Sequence, residues 1–165
     1  MRRFLEWRGH AWLAVPARWY LGGLFLAACG HKIAQPGSFA LDIATYAILP
    51  LALVNPTALI LPYVELVAGI GLLAGVRVRA AALLVCGMVG VFLAALLIAL
   101  GKGLDMSCGC FASQGGEADP ISRLTVLRDL GWLALGLYVL FFDRCRLGLE
   151  NLRRLRAVKP PEVNP

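Results

Sequence analysis

Cys108 and Cys110 are the residues of this chain best suited to chemistry, two thiols with a single glycine between them. Such a pair can close an unusually small disulfide ring, and Gly109, lacking a Cβ, relieves the backbone strain that closure imposes. A strained disulfide has a raised potential and exchanges readily, as catalytic disulfides do. As a static cross-link it would contribute little, because the chain-entropy effect grows with loop length. A second chemistry stays open beside the redox one. Met106, Cys108 and Cys110 offer a thioether and two thiolates, which suit Cu(I) or another soft ion. Two cysteines at this spacing do not make a tetrahedral zinc site without further ligands.

The remaining cysteines sit elsewhere. Cys29 and His31 fall at the end of the first apolar stretch, where they could approach the Cys108–Cys110 segment, with Cys29 as a third thiol in an exchange relay or as a small buried hydrophobe. Cys86 lies in an uncharged apolar run and reads as packing. Cys145 follows Arg144 in the basic tail.

Charges inside apolar stretches are costly and therefore suggestive. Glu65 lies eleven residues from the end of the second apolar stretch, so ~16 Å from that face at 1.5 Å per residue. Arg128 lies eight residues into the last stretch, ~12 Å from the opposite face. Across ~30 Å of hydrocarbon the two come within reach of each other's side chains. Asp129 adjoins Arg128, and Arg18 either snorkels to the nearer face or competes for Glu65. Glu65, Arg128 and Asp129 could line a polar interior that binds a quinone headgroup or carries protons. They could equally be paired charges that hold helices together.

These groups are positioned by a chain built for a bilayer. Of 165 residues, 59% are hydrophobic and only 16% charged, with a mean hydropathy of +0.74; a soluble domain carries about 25% charged residues. Crossing ~30 Å of hydrocarbon takes ~20 mainly apolar residues. Four stretches qualify, at about 11–30, 51–76, 80–100 and 120–142. The third holds no charge at all. Between the first two, a loop from His31 to Pro36 leads into Phe39–Leu49, which is too short to span, carries Asp42 and reads as a short surface helix. Pro56 and Pro62 fall early in the second span, tolerable where neighbouring helices satisfy the freed carbonyls. Asp119 and Pro120 resemble an N-cap and first helical residue. Gly71 with Gly75, and Gly23 with Ala27, are candidate close-packing pairs. The expectation is an all-α integral membrane four-helix bundle over residues 1–143, with a basic, partly disordered cytoplasmic tail over 144–165.

Lysine and arginine orient the bundle. Arg2, Arg3, Arg8, Arg77, Arg79, Arg144, Arg146, Arg153, Arg154, Arg156 and Lys159 collect on one side, and Lys32, Lys102 and Arg123 on the other. That bias puts both termini in the cytoplasm and the Cys108–Cys110 loop in the periplasm or its equivalent, where disulfides persist. It also accounts for the net charge of +6 without nucleic acid, since no aromatic and basic surface is interleaved to stack bases. Leu26-Ala-Ala-Cys29 looks like a lipoprotein cleavage site, but Arg18 interrupts the apolar run before it and the charge bias needs this segment as a span.

The ordered set Arg18-Trp-Tyr-Leu-Gly22, Phe25, Gly30, Lys32, Pro36, Phe39, Tyr46, Leu49-Pro50, Pro62, Glu65 and Gly69 resembles the DoxX-like membrane proteins. Cys108-Gly-Cys-Phe111 followed by Leu127-Arg-Asp129 resembles their methylamine-utilisation branch, MauE; Ala112 departs from the glycine common there. The likeness covers roughly residues 15–142. It implies a four-helix bundle in the bacterial inner membrane engaged in periplasmic redox work, beside a thioredoxin-like partner or a disulfide-containing client. Joined with the residues, it gives an expected thiol–disulfide oxidoreductase type of function. Cys108 and Cys110 exchange electrons, with Lys102 or Arg128 favouring the thiolate, and Glu65, Arg128 and Asp129 serve a quinone or protons. The rival expectation is a soft-metal carrier using Met106, Cys108 and Cys110.

Overall fold

The computed structural model describes residues 10–102 and 123–143, which form five helices. They are α1 (His10–Ala34), α2 (Pro36–Thr45), α3 (Leu51–Ala74), α4 (Val78–Gly101) and α5 (Arg123–Phe142). All but α2 are long and apolar enough to cross a membrane. The expected all-α four-span membrane bundle with a short helix after the first span is therefore what the chain forms. Cys108, Cys110, Met106, Asp119, Pro120, Cys145 and the 144–165 tail lie outside the described residues.

The helix boundaries follow from local chemistry. The first span does not open into a loop at His31; α1 continues to Ala34 because no breaker intervenes before Pro36. Proline disfavours the helical region for the residue before it, and Gln35 accordingly breaks the helix at φ −133°, ψ 66°. Pro36 then starts α2 at the first helical position. That added turn of α1 decides where Lys32 stands. The second and third spans also differ from expectation, ending at Ala74 and starting at Val78. Gly75 adopts the left-handed φ of 67° that glycine tolerates without penalty. Both its N–H and that of Val76 turn back to the Gly71 carbonyl. A single turn thus reverses α3 into α4.

The four spans close into a ring in which α1 packs on α3 and α5, and α4 packs on α3 and α5, while α2 lies against α3 and α1. The core runs through Leu21 and Phe25 of α1, Ala68 and Leu72 of α3, Val85 and Val89 of α4 and Val139 of α5. Outward-facing residues are as apolar as the core, including Leu51, Val91, Leu124 and Phe141. In water such a surface would be a liability; against lipid tails it costs nothing.

With apolar residues on both faces, burial alone does not hold the helices together, so close contact matters. A close crossing joins α1 to α3 at Gly22 and Gly69. A Cβ on either glycine would lie 3.1 Å from the carbonyl oxygen of the other. The expected pairs behave differently. Gly23 faces open space, Gly75 ends its helix, and only Gly71 makes a tight contact, where a Cβ would meet that of Ala81 on α4 at 3.1 Å. Cys86 packs, as its position suggested: it is buried, and a Cβ on Gly136 of α5 would come within 2.8 Å of its sulfur.

Candidate functional site: ion pairs between the spans

Lys32 sits three residues beyond Cys29, so both project from one face of α1. That face meets α3. Lys32 Nζ donates to Glu65 Oε1 at 2.7 Å, with both side chains over nine-tenths buried. The ring of Phe39 on α2 lies 4.9 Å from the ammonium and covers it. Cys29, 1% exposed, donates its thiol hydrogen to the Leu26 carbonyl one turn back at 3.3 Å. Among the described residues, Glu65 Oε2 has no hydrogen-bond partner. Three elements thus bury one cation, one carboxylate, one thiol and one ring together.

The pairing of Glu65 is a correction. Arg128 stood within reach of it by helical rise alone, but register and burial favour Lys32, which the extra turn of α1 carries inward. Arg18 does not compete for Glu65 either. It is buried, and its Nη1 lies 3.1 Å from Asp143 Oδ2 just past the end of α5. His10 closes the same end of the bundle, its Nδ1 3.0 Å from the Tyr138 hydroxyl and its ring 4.7 Å from that of Phe142. The start of the first span and the end of the last are therefore joined by a salt bridge and an aromatic stack.

Arg128 and Asp129 form a pair of their own near the start of α5. Arg128 Nε lies 3.3 Å from Asp129 Oδ1. Adjacent residues point about 100° apart on a helix, so the guanidinium folds back to make this contact. Its central carbon also stands 4.6 Å over the ring of Trp132, one turn on. The Trp132 indole N–H donates to the Tyr20 hydroxyl on α1 at 3.3 Å. Asp129 is 1% exposed, whereas the Arg128 side chain is 34% exposed. The site residues expected from sequence are therefore split in two: Glu65 joins Lys32 and Phe39, while Arg128 and Asp129 join Trp132 and Tyr20.

Lys32, Asp143, Trp132 and Tyr20 were not singled out by sequence reasoning as members of these clusters. A signal existed for Lys32, one of three basic residues on the sparsely charged side and three residues from Cys29. For Asp143, adjacency to the arginine-rich tail masked it. No group of three or more His, Cys, Asp or Glu is placed to hold a metal ion among the described residues.

The family model of the methylamine utilisation protein MauE fits residues 10–142. The chain belongs to the MauE family. That match runs from the first described residue of α1 to the last of α5 and includes every residue of the ion-pair clusters except Asp143. Comparison with curated proteins and with solved structures gives no match. In this MauE-family bundle Lys32, Glu65, Arg18, Asp143 and Asp129 are buried between elements, while Arg128 and Tyr20 are partly exposed.

Proposed function

We propose that this MauE-family protein is a membrane-embedded thiol–disulfide redox protein of the bacterial inner membrane. Cys108 and Cys110 form its exchanging pair, in a loop that faces the periplasm. A thiolate of a thioredoxin-like partner attacks one sulfur of the Cys108–Cys110 disulfide, forms a mixed disulfide and expels the other cysteine as a thiolate. The partner's second thiolate then attacks the mixed disulfide. The partner leaves oxidised, and Cys108 and Cys110 are left reduced by two electrons, having taken up two protons. A bilayer quinone, which can accept two electrons and two protons, is the acceptor class that resets the pair. The oxidised partner passes its disulfide to secreted clients, and methylamine utilisation, named in the family's description, is one setting for such maturation.

The observation that carries this reading is the Cys-Gly-Cys spacing in the connection between Gly101 and Arg123, beside a span that carries Arg128 and Asp129 in its second turn. The lysine and arginine bias supports the outward face for that connection. The buried Lys32–Glu65 and Arg128–Asp129 pairs support a bundle able to hold polar chemistry within the bilayer.

The test is trapping. In Cys110→Ser the Cys108 thiolate can still attack the disulfide of the oxidised partner, and with no Cys110 thiol to carry the exchange to completion a Cys108-linked adduct with a periplasmic thioredoxin-fold protein should accumulate and vanish on reduction. Recovery of no adduct, with client oxidation intact in the variant, would sink the proposal. Stoichiometric Cu(I) binding lost in Met106→Ala, without any adduct, would instead establish the soft-metal role.

A further inference from the structure

Among the described residues, the seam between α1 and α5 is more open than the Lys32–Glu65 cluster. Lys32, Glu65, Phe39 and Cys29 are each more than nine-tenths buried. At the seam, Tyr20 is 54% exposed and the Arg128 side chain 34%, while Asp129 behind them is 1% exposed. One oxygen of Asp129 takes Arg128; the other, Oδ2, is buried with no hydrogen-bond partner among the described residues. A guanidinium, an indole and a phenol thus stand at the rim, and a carboxylate oxygen able to accept a further hydrogen bond stands behind.

A ligand reaching this seam arrives from hydrocarbon, so it is lipid-soluble. To use the rings it must be flat. To use Asp129 it brings a hydroxyl donor, and to use Arg128 it brings a carbonyl or hydroxyl acceptor. A phospholipid phosphate satisfies Arg128 alone: it has no flat ring, and its charge opposes that of Asp129. The two redox states of a quinone supply the ring, the acceptor and, as quinol, the donor.

We propose that Arg128, Asp129, Trp132 and Tyr20 form the headgroup site for a bilayer quinone, and that Glu65 takes no part in it. This rests on the reading above, in which quinone resets the thiol pair, and it divides that reading's three polar residues between two tasks. Asp129 Oδ2 accepts from the quinol hydroxyl, Arg128 donates to the ring oxygen, and Trp132 and Tyr20 support the ring plane. The connection that carries Cys108 and Cys110 enters α5 at this same end.

The full chain in nanodiscs, titrated with a short-chain ubiquinone and its quinol, reads the site directly through bound ligand and tryptophan fluorescence. Saturable binding is expected, weakened at least about tenfold in Asp129→Ala and Trp132→Leu, as loss of a charged acceptor or a stacking face requires. Trp132→Phe keeps a flat ring and should retain binding, which separates the site from a folding defect. Glu65→Gln and the double Cys108→Ser/Cys110→Ser variant should bind as the parent does. No saturable binding by the parent overturns the site, as does binding lost in Glu65→Gln and kept in Asp129→Ala. Binding that persists in a protein from which no mixed disulfide can be trapped upholds the site and removes the thiol reading alone.

Discussion

Lys32→Ala should cost the bundle about 3–5 kcal/mol, the loss expected when one member of a buried ion pair is removed. The cause is Glu65 rather than Lys32. Its carboxylate would remain enclosed between α1 and α3, with Oε2 already lacking a partner among the described residues and Oε1 losing its bond to Lys32. The same reasoning makes the paired replacement mild. Lys32→Met with Glu65→Met fills the space with apolar atoms and removes both charges, so most of the lost stability should return. Denaturation in mixed micelles, with added dodecyl sulfate and helicity as readout, checks both. A single variant within about 0.5 kcal/mol of the parent would be the behaviour of a surface substitution and would contradict a buried pair.

Arg18→Ala should produce a loss of similar size, about 3–5 kcal/mol, by removing the cation that faces the buried Asp143 carboxylate. Both side chains of that pair are 1% exposed or less. The consequence differs in place: this pair ties the first span to the end of the last, beside the His10, Tyr138 and Phe142 stack. Among the described residues the two pairs share no partner, so their effects should add. The Lys32→Ala/Arg18→Ala protein should lose the sum of the two single losses to within about 0.5 kcal/mol. A coupling well beyond that value would show that the four groups form one network.

Much of this architecture was legible before any coordinates. Length, hydropathy and the uncharged run from Ala80 to Leu100 suffice for four spans, because the bilayer imposes one element length on every crossing. The short helix after the first span was legible as well, since Phe39–Leu49 is too short to span and carries Asp42. Partner choice was not. Glu65 and Lys32 are separated by 33 positions, and whether Lys32 or Arg128 reaches Glu65 depends on where α1 ends and how α1 and α3 are registered. Reading His31–Pro36 as a loop removed the one turn that aims Lys32 inward. The close crossing was missed for a related reason: spacing identified Gly71 and Gly75 as a pair, whereas the contact that sets the α1–α3 distance joins Gly22 to Gly69 on different helices. Spacing along one helix reports a face, and only packing reports what that face meets.

The split of the polar residues changes what each can do. Glu65 is tied to an ammonium beneath Phe39, an arrangement suited to fixing α1 on α3. Arg128 and Asp129 stand at an open seam with two aromatic rings, an arrangement suited to a ligand that enters from lipid. Both lie in the region that the MauE family model covers.

The central claim is that Cys108 and Cys110 are a reversible redox couple, and its midpoint potential is the most direct test. Equilibration of the full chain in nanodiscs against dithiol buffers, read by thiol alkylation with Cys29, Cys86 and Cys145 replaced, isolates that pair. The account predicts a two-electron transition at a potential above about −300 mV, the range of exchangeable rather than structural disulfides, with reoxidation of the reduced pair on adding a quinone. A pair that stays reduced at every potential, or one that oxidises and cannot be reduced again, would contradict it.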